Sequence, residues 1–329
     1  MKYIKFILKC IIAALPIAAI VIFTYAAPMC YMDKEYPSWK YTKEVSSGKI
    51  GEQHYDTVIL GDSGAMSSFI PDMLSDSAVN LAVGGGTSIE MYYFLKEYLE
   101  QHDKPEQVVI MFQPFHYFNI DNYETRTMYF KALSVEDARD LYTVAKECGT
   151  ESVYKGEESF WNELSCRLAL PTKYLPAITA ARFVGRYKDN ISSFSNLVDS
   201  KGYGSFGELD GCDEISYECS YSGIERGPDM YLLLTYFIKL NELCQSNDIA
   251  CLLLQPAINE ASFEQLNPDY LADIYGLYNA IGQSSPGMIV EDELRVYPNE
   301  LFGDVSHLNR KGAKIFSQEI KEKYSGVFE

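Results

Sequence analysis

Basic residues are the scarce class in this chain of 329 residues: 28 Lys and Arg stand against 46 Asp and Glu, a formal net charge of -18 with the four histidines neutral. A phosphate backbone is held mainly by Lys and Arg that neutralise its charge, so the balance argues against a DNA or RNA partner. Cysteine is also sparse. Eight cysteines cannot staple a chain of this length, and none forms a CxxC pair. Cys212 with Cys219, or Cys148 with Cys166, could close one small loop; the plainer reading is ordinary buried thiols. The histidines at 54, 102, 116 and 307 are too scattered for a zinc cluster, and no metal or other cofactor is expected. Internal repeats and low-complexity segments are absent. What is present, 47% hydrophobic and 22% charged residues, belongs to a chain with a real core.

The chain begins with Lys2, Lys5 and Lys9, followed by an apolar run from Cys10 to Met32 with no acidic residue before Asp33. At 1.5 Å per residue that run is long enough to cross a bilayer, and Pro16 is tolerable in such a helix. Residues 1–32 are therefore expected to form a cytoplasmic N-terminus and membrane anchor, with lipid bilayer as a partner. The basic flank would place the rest outside the plasma membrane as a single-pass protein. A cleaved signal peptide ending near the TYAAP stretch is the alternative. Without the anchor the chain carries 25 basic and 46 acidic residues.

Residues 33–54 read as a polar juxtamembrane segment, and 55–329 as one α/β domain with a loop-rich insertion around 150–227. Short apolar runs at 57–60, 80–83, 108–112, 249–256 and 288–290 read as buried strands. They alternate with helical patterns at 88–102, 228–246, 268–281 and 310–324, and residues 134–147 add a helix capped by Ser134. Strand, glycine turn, helix and strand in succession are the grammar of an open, mostly parallel sheet with flanking helices.

Ser63 follows the first strand in LGDSG. A serine at the carboxyl end of a buried strand can expose its hydroxyl while backbone N–H groups converge on a carbonyl oxygen, as acyl transfer requires. The plainer reading is a helix cap after a glycine turn. Near the C-terminus, DVSHLNRKGA sets Asp304 and His307 three apart, so one turn can present both to a cleft. A nucleophilic serine needs a base within reach and a third group to orient it, roles that suit His307 and Asp304. Taken singly, Asp304 also reads as a turn residue and His307 as a surface histidine.

GDS at 61–63, NLAVGGGT at 80–87 and DxxH at 304–307 together resemble the blocks of the SGNH (GDSL-type) hydrolase superfamily. The resemblance implies a flavodoxin-like three-layer domain and a triad of Ser63, His307 and Asp304. It also implies an oxyanion hole formed by the backbone N–H groups of Ser63 and Gly85. The third block departs from the pattern: FQPFHYFN at 112–119 replaces the usual GxND, leaving Gln113, His116 and Asn119 as pocket residues and one oxyanion donor unassigned. Gln255 and Asn259 follow a later strand in the same manner, and Tyr117 with the other tyrosines suits either a sugar cleft or packing.

With the anchor, the resemblance narrows to membrane-attached, exported members such as the DltD-like and alginate O-acetylation proteins. The implied partners are an acylated polysaccharide or teichoic-acid-like envelope polymer and a membrane-bound O-acyltransferase. The expected function is an extracytoplasmic serine acyl esterase or O-acyltransferase working through an acyl-serine intermediate. A noncatalytic envelope binding or assembly protein that retained the fold is the rival.

Overall fold

A computed structural model describes residues 2–26, 33–120, 122–167, 184–207, 209–291 and 293–328. Helix α1 spans Lys2–Ala26 and α2 spans Tyr36–Ser46. Then come β1 Thr57–Gly61, α3 Ser63–Ser68, α4 Pro71–Leu74, β2 Ala78–Asn80, α5 Ser88–Gln101 and β3 Gln107–Met111. The middle of the chain holds α6 Val135–Cys148, α7 Glu157–Arg167, α8 Val184–Asp199 and α9 Pro228–Ser246. The last part supplies β4 Ala250–Leu254, β5 Ile258–Asn259, α10 Glu260–Gln265, α11 Pro268–Ser284, β6 Met288–Val290, β7 Val296–Tyr297 and α12 Arg310–Lys323.

Five strands form one sheet in the order β2-β1-β3-β4-β6, every pair parallel. Thr57 to Gly61 and Gln107 to Met111 are buried along their whole lengths, as strands covered on both faces must be. The helices gather in two groups: α5 packs with α9 and α2, and α2 with α8, while α12 packs on α3 and α4. Strand order reverses between β1 and β3, because the chain runs outward to β2 and then returns to the other side of β1. That reversal opens a crevice beyond the carboxyl ends of β1 and β3, where ligands of open α/β sheets bind.

The expected membrane anchor is corrected. Among the described residues, no helix is long and apolar enough to cross a membrane. Lys2, Lys5 and Lys9 lie inside α1 rather than ahead of it, and Pro16 also lies within it. Beyond Lys9 the described helix runs from Cys10 to Ala26, about 25 Å at 1.5 Å per residue, against a hydrocarbon core of about 30 Å. Residues 27–32, the end of the run, lie outside the described residues, as does part of the TYAAP stretch. The single-pass topology, the extracytoplasmic placement and the bilayer as partner are withdrawn with the anchor.

Local differences have physical causes. The second strand ends at Asn80 instead of running to Val83, because the buried Asn80 side chain turns the chain. It donates to the Ala65 and Phe69 carbonyls and accepts from the Ala82 N–H. Residues 36–46, polar in sequence, form a helix that buries Trp39, Tyr41 and Val45. Within the stretch expected to be loop-rich, α8 packs on α2, and Asn190 donates to the Asp33 carbonyl at 2.6 Å. Among the described residues no disulfide joins Cys148 to Cys166 or Cys212 to Cys219, so neither of the two possible loops is closed by a bridge. Cys30 lies outside the described residues.

Candidate active site

Gly61 ends β1 at φ +155 with its Cα hard against the Met111 backbone of β3, so no side chain fits there. Asp62 follows, wholly buried, and caps α3: its Oδ1 accepts from the Gly64 N–H at 2.8 Å and the Ala65 N–H at 3.4 Å. Such a cap contributes about 1 kcal/mol. It also fixes Ser63 as the first residue of α3, at the crevice.

The other side of the crevice is built by the turn before α12. Asp304 Oδ1 accepts from the backbone N–H groups of Ser306 and His307, both at 2.9 Å, closing a tight turn. The same turn brings His307 Nδ1 to 2.8 and 2.9 Å from the two Asp304 carboxylate oxygens. A carboxylate only accepts, so the Nδ1 proton donates to Asp304 and Nε2 is left as the acceptor. Nε2 stands 2.8 Å from Ser63 Oγ, whose hydroxyl donates to it. Burial pushes the Asp304 carboxyl up, but the hydrogen bond from His307 and its electrostatic attraction, with the two backbone N–H groups, outweigh it and hold the group below the ordinary range. Asp304 is therefore held ionised against His307.

Gln113 follows β3 and ties the two walls together. Its backbone N–H donates to Asp62 Oδ2 at 2.6 Å, and its side-chain amide donates to the Ser306 carbonyl at 3.2 Å. The amide nitrogen lies so close over Gly64 that an added Cβ there would sit 2.9 Å away. Gly85, at φ +68, belongs to a turn whose neighbours pack on the end of β1: Val83 N–H donates to the Gly61 carbonyl at 3.1 Å. The turn is pinned by the capping box of α5, in which Thr87 and Glu90 satisfy each other's orphan groups.

The remaining candidates lie elsewhere. His116 is buried, with Nδ1 2.6 Å from Asp62 Oδ2, so it braces Asp62 from behind. Asn119 lines a separate cavity of about 870 Å³ beside Tyr221 and Asp229. Gln255 is wholly buried and donates to the Glu291 carbonyl at 3.3 Å. Asn259 caps α10 and donates to the carbonyls of Cys212 and Glu214, pinning the insertion to the small β5–β7 pair. Tyr117 is a core residue packed against Phe112, Phe237 and Tyr278.

Three contributors were not singled out from the sequence. Asp62 is the buried junction between the β1 and β3 ends, and its signal was the cap position ahead of α3. Phe206 stacks on the His307 ring, centroids 4.7 Å apart and planes 24° from parallel. It reaches there because Gly207 lies against the Gly303 backbone and the Leu209 N–H donates to the Gly303 carbonyl. Nothing periodic marks that segment. Arg126 donates to the Gly84 carbonyl at 2.8 Å and covers Gly85 so closely that a side chain there would strike its guanidinium.

No family model, no curated protein and no solved structure matches the chain. That overturns its assignment to the SGNH hydrolases. The short blocks behind the assignment each meet a local need that does not specify ancestry: Asp62 caps a helix, Gly85 takes a left-handed turn, and Asp304 closes a turn before α12. The envelope polymer and the membrane-bound acyltransferase, expected only through that assignment and the anchor, are withdrawn with it.

Proposed function

We propose that the chain is a serine acyl esterase or O-acyltransferase. The observation that carries the reading is the unbroken line Ser63 Oγ, His307 Nε2, His307 Nδ1, Asp304, with contacts of 2.8 to 2.9 Å, at the crevice where strand order reverses. Ser63 attacks the ester carbonyl as its proton passes to His307 Nε2. The imidazolium formed is stabilised by Asp304 and returns the proton to the departing alkoxide. Water or a second alcohol then takes the acyl group from Ser63, with His307 acting as base again. Hydrolysis and transfer share the first half and differ only in the second nucleophile.

Charge developing on the carbonyl oxygen needs donors in place beforehand, and one such donor is commonly worth about 3 kcal/mol in the transition state. The Ser63 N–H, left without an intrahelical partner as the first residue of α3, is the donor we assign first, and the Gly85 N–H of the neighbouring turn is the second we propose. Gln113 suits the third position, since only one of its two amide hydrogens is taken by the Ser306 carbonyl. The test is turnover of an activated ester such as p-nitrophenyl acetate. Wild type is expected to turn over with Ser63→Ala at background, and equal rates in the two would remove Ser63 from the reaction.

A further inference from the structure

Strand order β2-β1-β3 puts β1 between two segments that meet at the crevice. Gly84 and Gly85 belong to the turn after β2, and Arg126 to a short helical segment, Tyr123–Met128, that follows β3. Arg126 Nη1 donates to the Gly84 carbonyl at 2.8 Å, so the guanidinium joins the two segments beyond the carboxyl end of β1, where Ser63 begins α3. The same turn touches what supports the triad: the Val83 N–H donates to the Gly61 carbonyl at 3.1 Å, and a Cβ at Gly84 would stand 3.7 Å from Phe206, the ring stacked on His307. Arg126 is half-buried, and among the described residues the Gly84 carbonyl is its one hydrogen-bond partner and no carboxylate pairs with it. Acids are not in short supply in a chain of net charge -18, and other cations withdrawn from solvent meet one: Lys43 meets Glu97 at 2.7 Å, Arg167 meets Glu163 at 2.6 Å, and Arg295 meets Glu291. The carboxylate at this turn, Glu35, lies against Gly84 and pairs with Lys34 at 3.8 Å.

We infer that Arg126 receives a carboxylate of the substrate beside the Ser63 crevice. The inference rests on the esterase or acyltransferase reading and names its substrate class, an ester that carries a free acid. A guanidinium presents five N–H donors in a planar fork, and one is spent on Gly84. The others can take two carboxylate oxygens side by side, the pairing that the fork fits best. A single guanidinium balances a single charge, which suits a carboxylate rather than a doubly charged phosphate. Position supports the assignment. Gly85 is partly exposed at φ +68, and a Cβ there would strike Nη1 and stand 2.7 Å from the Asn122 amide nitrogen, so glycine makes room for the guanidinium at the turn whose N–H is proposed to meet the ester carbonyl. Glu35, against Gly84, would repel an anion there and confines it to the Gly85 end of the turn. The net charge of -18 repels anions at long range, so a preference for one has to come from a local cation.

The experiment uses the full chain as wild type, Arg126→Gln and Arg126→Lys, with two pairs of activated esters. p-Nitrophenyl succinate and p-nitrophenyl butyrate differ by a carboxylate on the acyl side, and 4-acetoxybenzoate and its methyl ester by one on the alcohol side. The ratio of kcat/KM for the acid over its neutral partner is read within each protein, so that a change in basal activity cancels. Reaction of Ser63 with a fluorophosphonate is read by intact mass in every sample. The turn has a second tie, because Trp39 Nε1 also donates to the Gly84 carbonyl, at 3.1 Å. In at least one pair the ratio is expected to fall at least about tenfold from wild type to Arg126→Gln, carried by KM. Arg126→Lys keeps the charge without the fork; its ratio is expected at least about threefold below wild type, and it carries the test alone if Arg126→Gln does not fold. Labelled proteins whose ratios are the same in all three, or that turn over neither acid, would overturn the carboxylate site while leaving Ser63 a nucleophile. Absence of both label and turnover in wild type would instead overturn the esterase reading, and the Arg126 assignment with it.

Discussion

Two buried carboxylates stand at the carboxyl end of the sheet, one after β6 and one after β1, and are treated in opposite ways. Glu291 follows β6 and meets cations: Arg295 donates to both of its oxygens, Lys323 to one at 2.8 Å, and Tyr324 adds a third donor. Burial pushes the Glu291 carboxyl up, and these partners outweigh it and bring it below the ordinary range. Asp62 follows β1 and meets no lysine or arginine among its hydrogen-bond partners; its oxygens take the N–H groups of Gly64, Ala65 and Gln113 and the ring of His116. A carboxylate spent on cations makes a closed cluster, stable and chemically inert. A carboxylate spent on backbone donors fixes the chain around it, and here that chain carries Ser63 on one side and Gln113 on the other. A cavity of about 560 Å³ lies beside Arg295, Glu319 and Lys323. Yet its two cations are already paired, Arg295 with Glu319 and Lys323 with Glu293, and no serine, threonine or cysteine lines it.

Substitutions at the two places should therefore separate activity from stability. The largest effect is expected from Asp304→Asn, which removes the acceptor that sets the His307 tautomer. Turnover of an activated ester should fall about 10²- to 10⁴-fold with little change in Tm. Breaking the Glu291 cluster should do the reverse. Glu291→Gln leaves Arg295 and Lys323 short of a counter-charge, and denaturant unfolding should show a loss of about 3–5 kcal/mol with kcat/KM retained in the folded fraction. A large loss of kcat/KM in Glu291→Gln would erase the distinction.

Glu218, buried in the insertion, gives a smaller effect with a defined sign. Burial, only partly offset by the hydrogen bond from Tyr270 and the nearby His116, pushes its carboxyl up to about 7, above the ordinary 4.5, so the folded chain holds a proton that the unfolded chain releases. Stability is fully present below about 4.5 and falls as the pH rises to about 7, by on the order of 3 kcal/mol. Glu218→Gln should flatten that slope, raising stability at pH 8 and leaving it unchanged at pH 4. Unfolding curves that keep the wild-type slope in this variant would contradict the assignment. Smallest is Phe206→Ala, which removes the ring stacked on His307. A loss of about 0.5–1.5 kcal/mol of transition-state stabilisation is expected, read as a few-fold fall in kcat with the fold intact.

Much of the sheet was legible in the sequence because buried parallel strands announce themselves as short apolar runs, as in Thr57 to Leu60 and Val108 to Phe112. Ser63 could be picked out because it follows a short apolar strand, and Asp304 and His307 because they sit in a turn just ahead of a helical pattern. What was not legible depends on contacts distant in sequence. Phe206 meets His307 about a hundred residues away, through a glycine pressed against Gly303, and no periodicity encodes that meeting. Helix α2 hides its apolar face among lysines and tyrosines, and only its packing on α5 and α8 reveals it. The N-terminal run misled for the opposite reason. Hydropathy counted its apolar residues to Met32, whereas the described helix begins among its lysines. The glycine and serine blocks misled about ancestry because caps and tight turns select the same residues in unrelated chains.

The most direct test of a live Ser63 is intact-protein mass after exposure to a serine-directed fluorophosphonate, with Ser63→Ala and His307→Ala treated alongside. A single adduct in wild type, absent from Ser63→Ala and strongly slowed in His307→Ala, is the expected result. A folded wild-type protein that takes no adduct, or one labelled equally in all three, would contradict the account and return the chain to a noncatalytic binding role.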